Sequence, residues 1–262
     1  VLEMLIPIYQ VDAFTAELFR GNPAAVCPLK SWLDEETMQL IARENNLSET
    51  AFFSPEGDHY RIRWFTPAEE VDLCGHATLA TAFVIFTEID HGRSTVLFES
   101  KSGPLGVDRD GPLLSMDFPS QPPFPCEGPA ALVDGLGGKP SEVLRSADYF
   151  VVYESEDEVR ELKPRMDLLG QVDLRGVIVT APGAASDFVS RFFAPRLGID
   201  EDPVTGSAHC ALVPYWSARL GRKDLHAIQV SGRGGELHCR DNGGRVTISG
   251  RAVTYMRGTI TI

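Results

Sequence analysis

Arg63-Trp-Phe-Thr-Pro67 is followed by Cys74-Gly-His-Ala-Thr78, and Arg191-Phe-Phe-Ala-Pro195 is followed by Thr205-Gly-Ser-Ala-His209. The first pieces are offset by 128 residues (63 to 191) and the second by 131 (74 to 205), so a three-residue insertion reconciles them. Further on, Ser102-Gly-Pro-Leu105 matches Gly234-Gly-Glu-Leu237 at an offset of 132, and each precedes an acidic turn with glycine, Asp108–Gly111 and Asp241–Gly244. Three matches in the same order at nearly constant offset describe one unit used twice. A solenoid would need at least three copies. The alternative is chance recurrence of common strand–turn–helix grammar. Between the copies, Pro119-Ser-Gln-Pro-Pro-Phe-Pro-Cys-Glu-Gly-Pro129 holds five prolines, which fit neither a helix interior nor a central strand. The expected division is therefore 1–118, a linker at 119–124, and 125–251.

Local patterns fill in each copy. The N-terminal VLEMLIPIYQ reads as a first strand, placed at Ile6–Phe14. Asp34 is an N-cap candidate, with Glu35 and Glu36 in the first turn and Met38, Ile41 and Ala42 on one face of a helix that stops near Asn45-Asn46. Strands are expected at Thr50–Ser54 and Tyr60–Phe65 around Pro55–Asp58, and near Val96–Glu99, Leu113–Phe118, Ala227–Ser231, Val246–Ser249 and Gly258–Ile262. Ala77–Phe86 is apolar nearly all round, the mark of a helix at the centre of a domain. In the second copy Leu212, Val213, Trp216 and Leu220 recur at helical spacing, and Gly221 supplies the stop. The fold class is α+β: a curled sheet around a central helix, twice.

Composition limits the function. The 262 residues carry 24 Lys and Arg against 37 Asp and Glu, a net charge of −13, which argues against nucleic acid as a partner. No apolar run has the length of a membrane span, and the N-terminus lacks the features of a signal peptide. Cys27, Cys74, Cys126, Cys210 and Cys239 are odd in number and widely spaced, with no CxxC pair. That pattern fits reduced thiols in the cytoplasm better than disulfides or a zinc site, so no metal is expected.

Each central helix starts at a tight turn, Gly75-His76 in one copy and Gly206-Ser207 in the other. Helix N-termini carry unpaired N–H groups and partial positive charge, which suits a carboxylate-bearing substrate. The plain alternative is that the glycines allow close packing while His76 and Ser207 cap their helices. Glu49, in Leu47-Ser-Glu-Thr50 before the apolar Ala51-Phe-Phe53, is the acid/base candidate, because burial would bring its pKa toward neutrality. The alternative is a solvated loop glutamate. Asp202 lies just before the second helix and also reads as a turn aspartate; His76 could donate or orient, and His209 could simply be packed. Cys74 lies beside a helix N-terminus that would stabilise a thiolate, yet Thr205 holds the matching place, so Cys74 reads better as a packed small residue.

Asp12-Ala-Phe14, Arg20-Gly-Asn-Pro-Ala-Ala-Val26, Ile41-Ala-Arg-Glu-Asn-Asn-Leu-Ser-Glu-Thr50, Arg63–Pro67, Cys74–Thr78, Glu201-Asp-Pro-Val-Thr-Gly-Ser-Ala208 and Arg233-Gly-Gly-Glu236 occur in this order. Together they resemble the phenazine-biosynthesis-like family across essentially the whole chain, and look especially close to its mammalian branch. The resemblance implies the diaminopimelate epimerase-like fold, with two pseudo-symmetric halves, the active site between them, and a final strand, 252–262, that crosses back to the first half. It implies a cofactor-independent isomerase that moves a proton on a small carboxylate-bearing metabolite, with Glu49 as acid/base, Asp202 and His76 assisting, and Ser48, Gly75, Gly206 and Ser207 binding substrate. It also implies a homodimer. In the wider superfamily two cysteines perform epimerisation; here only Cys74 stands on such a position, which argues against two-thiol chemistry. The alternative function is a binding or scaffold protein that kept the fold and lost the chemistry.

Overall fold

The computed structural model describes residues 4–262. The start of the first-strand reading, at 1–3, lies outside the described residues. The chain divides into two compact units: 1–117 with 249–262, and 118–248.

In the first unit the strands are β1 (Leu5–Ala13), β2 (Asn22–Pro28), β3 (Glu49–Glu56), β4 (His59–Phe65), β5 (Glu70–Val71), β6 (Thr95–Ser100), β7 (Gly103–Asp110) and β8 (Leu113–Pro119). The helices are α1 (Glu35–Asn45) and α2 (Gly75–Val84). β2 runs parallel to β3, β3 antiparallel to β4, β4 parallel to β6 and β6 antiparallel to β7. β1 pairs antiparallel with β2 on one side and, on the other, with the C-terminal strand Ala252–Thr261. The sheet curls around α2, which packs against β1, β2, β3 and the C-terminal strand. α1 covers the other face, with Met38, Ile41 and Ala42 against Ile6, Ala25, Cys27, Phe52 and Phe65. Asp34 caps α1 by accepting from the Thr37 N–H at 2.9 Å, a bond of the kind whose loss costs about 1 kcal/mol. Asn46 ends the helix in the left-handed region at φ 50°.

The apolar run Ala77–Phe86 is helical, but the helix starts two residues earlier and changes character at Ile85. A single π turn covers Ile85–Ile89, with the Asp90 N–H reaching back five residues to the Ile85 carbonyl. The Thr87 hydroxyl donates to the Phe83 carbonyl and loosens the regular ladder there.

The second unit repeats the pattern. Its strands are β9 (Phe124–Pro125), β10 (Glu142–Arg145), β11 (Tyr149–Val152), β12 (Val177–Pro182), β13 (Phe188–Ala194), β14 (Ile199–Asp202), β15 (Asp224–Gln229), β16 (Gly235–Asp241) and β17 (Arg245–Gly250). Its helices are α3 (Ala130–Leu136), α4 (Glu156–Glu161), α5 (Met166–Leu169) and α6 (Gly206–Leu220). β11 is parallel to β12, β12 antiparallel to β13, β13 parallel to β15 and β15 antiparallel to β16. This is the order of directions found from β2 to β7. α6 packs on β15 and β16 and ends at Gly221 with φ 69°. Short helices cover the other face, burying Leu132, Leu136, Val159 and Leu169 against Val151, Val179 and Phe193.

The repeat extends to side-chain chemistry. Arg63 grips Glu70 through Nε and Nη2, both at 2.7 Å, and lies 5.1 Å from the Phe65 ring centre. Arg191 grips Glu201 through the same two nitrogens, at 2.7 and 3.0 Å, and lies 4.9 Å from the Phe193 ring centre. The three-residue insertion falls between Phe193 and Glu201, where a 3-10 turn, Pro195–Leu197, has formed. Thus the Arg-x-Phe motif fastens the strand before each central helix to the turn that leads into it.

Candidate active site

Glu49 opens β3, where Ala24 of β2 is its parallel neighbour. It is 9% exposed, a buried carboxylate and not a solvated loop glutamate. The Asn45 amide donates to the Thr50 hydroxyl and pins the bend between α1 and β3, in which Ser48 lies half-buried. His76, in the first turn of α2, places Nε2 3.1 Å from Glu49 Oε2. The approach lies off the hydrogen-bonding direction, so both buried atoms lack a hydrogen-bond partner among the described residues. They are close enough to interact strongly through their charges.

The other ring nitrogen of His76 is held from two sides. Asn22 Nδ2 lies 3.2 Å from Nδ1 and Cys74 Sγ 3.5 Å from it. With Nδ1 engaged by these two contacts, Nε2 is the nitrogen that faces Glu49. Burial pulls the His76 pKa down, but the facing Glu49 carboxylate opposes it, and the imidazole is held well above its ordinary value. Burial, then the neighbouring Glu49, pushes the Cys74 thiol up. Cys74 is thus a packed thiol despite its place at the start of α2.

No chemical signal in the sequence marks Asn22 as a site residue, although Gly21-Asn22-Pro23 lies within the family-like stretch Arg20–Val26. Its position follows from the preceding loop. Buried Asp12 accepts the Phe19 N–H at 3.0 Å, and Gly21, at φ +66°, turns the chain into β2. A Cβ at Gly21 would stand 2.1 Å from the Ala13 carbonyl oxygen, so only glycine fits this turn.

The second unit carries Asp202, Gly206 and Ser207. Asp202 accepts the Thr205 hydroxyl at 2.5 Å. Fully buried Gln229 braces the turn: its Oε1 accepts the Thr205 N–H at 2.8 Å and its Nε2 donates to the Asp202 carbonyl at 2.8 Å. Ser207 does not cap α6, nor does His76 cap α2. The N-cap residues are Thr205 and Cys74, neither making a side-chain cap bond, so the first-turn amides at Gly75 and Gly206 are not consumed that way. Ser207 Oγ instead accepts from Arg175 Nη2 at 3.1 Å, and Arg175 is clamped by buried Asp148 at 3.0 and 2.6 Å. Arg175, Asp148 and Gln229 are joined to their partners across 24 to 32 residues, and no local motif marks them.

His209 is a packed residue. Its Nδ1 donates to the Thr205 carbonyl at 2.8 Å, as the Thr78 hydroxyl donates to the Cys74 carbonyl in α2. By ligand type, Glu49, Cys74 and His76 could hold a metal, one atom of each lying within 4.8 Å of the others. Thiol ligation needs a thiolate, however, and burial here opposes it.

One large curled sheet with few helices defines an α+β protein of the diaminopimelate epimerase-like fold, which epimerases of far lower identity share. The chain belongs to the phenazine biosynthesis-like protein family (PhzC-PhzF), whose model matches residues 11–258. An uncharacterized isomerase of Pseudomonas aeruginosa is 52% identical over 98% of this chain and 99% of its own. The human phenazine biosynthesis-like domain-containing protein is 42% identical over 98% of this chain and 100% of its own. A crystal structure of a PhzF-family phenazine biosynthesis protein from Enterococcus faecalis, 48% identical, matches with a TM-score of 0.97 over 99% of this chain and 100% of that one. Among the described residues no helix is long and apolar enough to cross a membrane.

Proposed function

We propose that this protein is a cofactor-independent isomerase that moves a proton between carbons of a small carboxylate-bearing substrate, with Glu49 as the acid/base. The observation that carries this reading is the buried pair of Glu49 Oε2 and His76 Nε2, 3.1 Å apart and without hydrogen-bond partners among the described residues. Unsatisfied polar atoms of this kind cost stability, and catalysis is one reason to keep them. The Glu49 carboxylate takes a proton from an acidic C–H of an unsaturated acid. The electron pair of that bond shifts the neighbouring double bond, and the protonated Glu49 returns the proton to the far carbon. His76 donates from Nε2 to the charge that develops meanwhile. The first-turn amides at Gly75 would hold a carboxylate oxygen. Ser48, Asp202, Gly206 and Ser207 are assigned to substrate binding and orientation, as the family resemblance implies. The isomerase names of relatives support the reading. Two-thiol chemistry does not fit, because Cys74 is a packed thiol and Thr205 stands where a second cysteine would be.

The test is proton exchange. The protein is incubated in heavy water with a panel of small unsaturated carboxylic acids, and deuterium entering carbon is followed by NMR. Exchange should occur with at least one acid, and Glu49→Gln should abolish it while leaving binding within a few-fold, since acid–base catalysis contributes about 10²–10⁴-fold. A panel member that binds tightly without exchanging favours the scaffold alternative. Exchange that survives Glu49→Gln removes Glu49 from the role.

A further inference from the structure

The β15–β16 hairpin sets His226 opposite His238 and Ile228 opposite Glu236. Side chains alternate along each strand, so Leu225, Ala227, Gln229, Leu237 and Cys239 are buried while 226, 228, 236 and 238 share the opposite face. On that face His226 Nε2 lies 2.8 Å from Glu236 Oε1, and the two imidazoles stack with centres 5.2 Å apart and planes 16° apart. One nitrogen from each histidine and one carboxylate oxygen all lie within 4.8 Å of one another. We propose that His226, Glu236 and His238 form a binding site for a divalent transition metal, with zinc the best-fitting ion, separate from the Glu49 site.

Two imidazoles and a carboxylate are the protein donors of open zinc sites, which leave a fourth position to water. With metal–ligand bonds of about 2.0–2.1 Å, tetrahedral ligands stand about 3.3 Å apart. With one separation at 2.8 Å and none above 4.8 Å, side-chain movements of about 1.5 Å at most would close the set. The backbone is already fixed: the His226 N–H donates to Asp187 Oδ2 at 2.7 Å and the His226 carbonyl accepts the Asp187 N–H at 2.8 Å. Two paired strands hold ligands more firmly than a loop does. On the neighbouring rung Arg240 is neutralised by Asp224 at 2.7 Å, so its charge opposes a cation only weakly. The net charge of −13 favours cation approach.

The test uses the full chain stripped with chelator, then titrated with Zn²⁺ against a chromophoric competitor and, separately, with Co²⁺. One equivalent should bind, and cobalt should give tetrahedral visible bands without a thiolate charge-transfer band. The double variant His226→Gln/His238→Gln should bind at least about tenfold more weakly. Cys74→Ala, which breaks up the only other close-set donor cluster among the described residues, should bind as the parent does. Glu236→Gln, at an exposed position, provides a ligand deletion that leaves the core untouched, and circular dichroism checks each fold. Unchanged affinity in the double and Glu236 variants, a thiolate band, or no binding at 100-fold excess of Zn²⁺ overturns the site.

Discussion

Acidifying the protein from pH 7 to pH 4 should cost stability through His209. It is fully buried in α6, with Nδ1 on the Thr205 carbonyl, Nε2 without a hydrogen-bond partner among the described residues, and its ring centre 5.9 Å from that of Phe188. Burial pulls its pKa down to about 4, only partly opposed by the backbone bond. In the unfolded chain it titrates near 6.5. Between these values the unfolded state binds more protons than the folded state, so stability is complete above about pH 6.5 and is lost as pH falls toward 4. A gap of about 2.5 units at about 1.36 kcal/mol per unit gives about 3 kcal/mol. His76 has the opposite sign: its folded pKa is raised, so its contribution is complete below the unfolded pKa and fades only as pH rises. It adds no slope in the acid window. The assay is urea unfolding at a series of pH values, comparing the parent with His209→Thr. Threonine retains a hydroxyl for the helix carbonyl, as Thr78 does in α2, but cannot titrate. The variant should be the weaker protein at pH 7, with its deficit narrowing by about 3 kcal/mol by pH 4. Two curves that stay parallel would show that His209 is not the group responsible.

Other outcomes follow from the same geometry. Gly21→Ala, at φ +66° and against the Ala13 carbonyl, should destabilise by more than about 2 kcal/mol and disturb the imidazole nitrogen signals of His76 in long-range ¹⁵N NMR, because Asn22 moves with it. Unaltered signals would detach Asn22 from the site. Arg191→Met strands Glu201 and two carbonyls, Val159 and Leu162, and should cost about 3 kcal/mol in thermal unfolding. Adding Glu201→Gln should recover part of that cost, and no recovery would deny the pair its role. We also expect self-association as a homodimer, and a monomer in sedimentation at high concentration contradicts it.

Helix ends and the repeat could be read because each is local. Asp34, the apolar face of α1, and Gly221 obey short-range rules, and the two Arg-x-Phe motifs announce themselves by identity. β2 is not legible in the sequence because Asn22-Pro-Ala-Ala25 has the composition of a turn; its strand state comes from pairing with β1 and β3. The four-residue strands β10, β11 and β14 and the short α3, α4 and α5 are too brief to show a period. Pro214 should break a helix, yet α6 runs through it. Residue pattern alone marks the C-terminal strand only from 258; it starts at Ala252, as the family resemblance implies, its polar and exposed residues hiding the pairing with β1. At the site, Glu49 and His76 stood in recognisable motifs. Asn22, Gln229 and the Arg175–Asp148 clamp act across distant segments, and one sequence carries no local sign of such pairs.

The pairing of β1 with Ala252–Thr261 joins the two extremes of the described chain over nine residues. During synthesis β1 emerges early and waits, one edge unmet, while residues 118–248 are made and can collapse into their own unit. The unit that starts first is therefore completed last. Until residue 252 arrives, the open edge is a template for any passing strand, including the same strand of a neighbouring nascent chain. The contact that closes this unit is thus among the slowest to form, and its timing leaves the growing polypeptide open to entanglement until residue 252 has emerged.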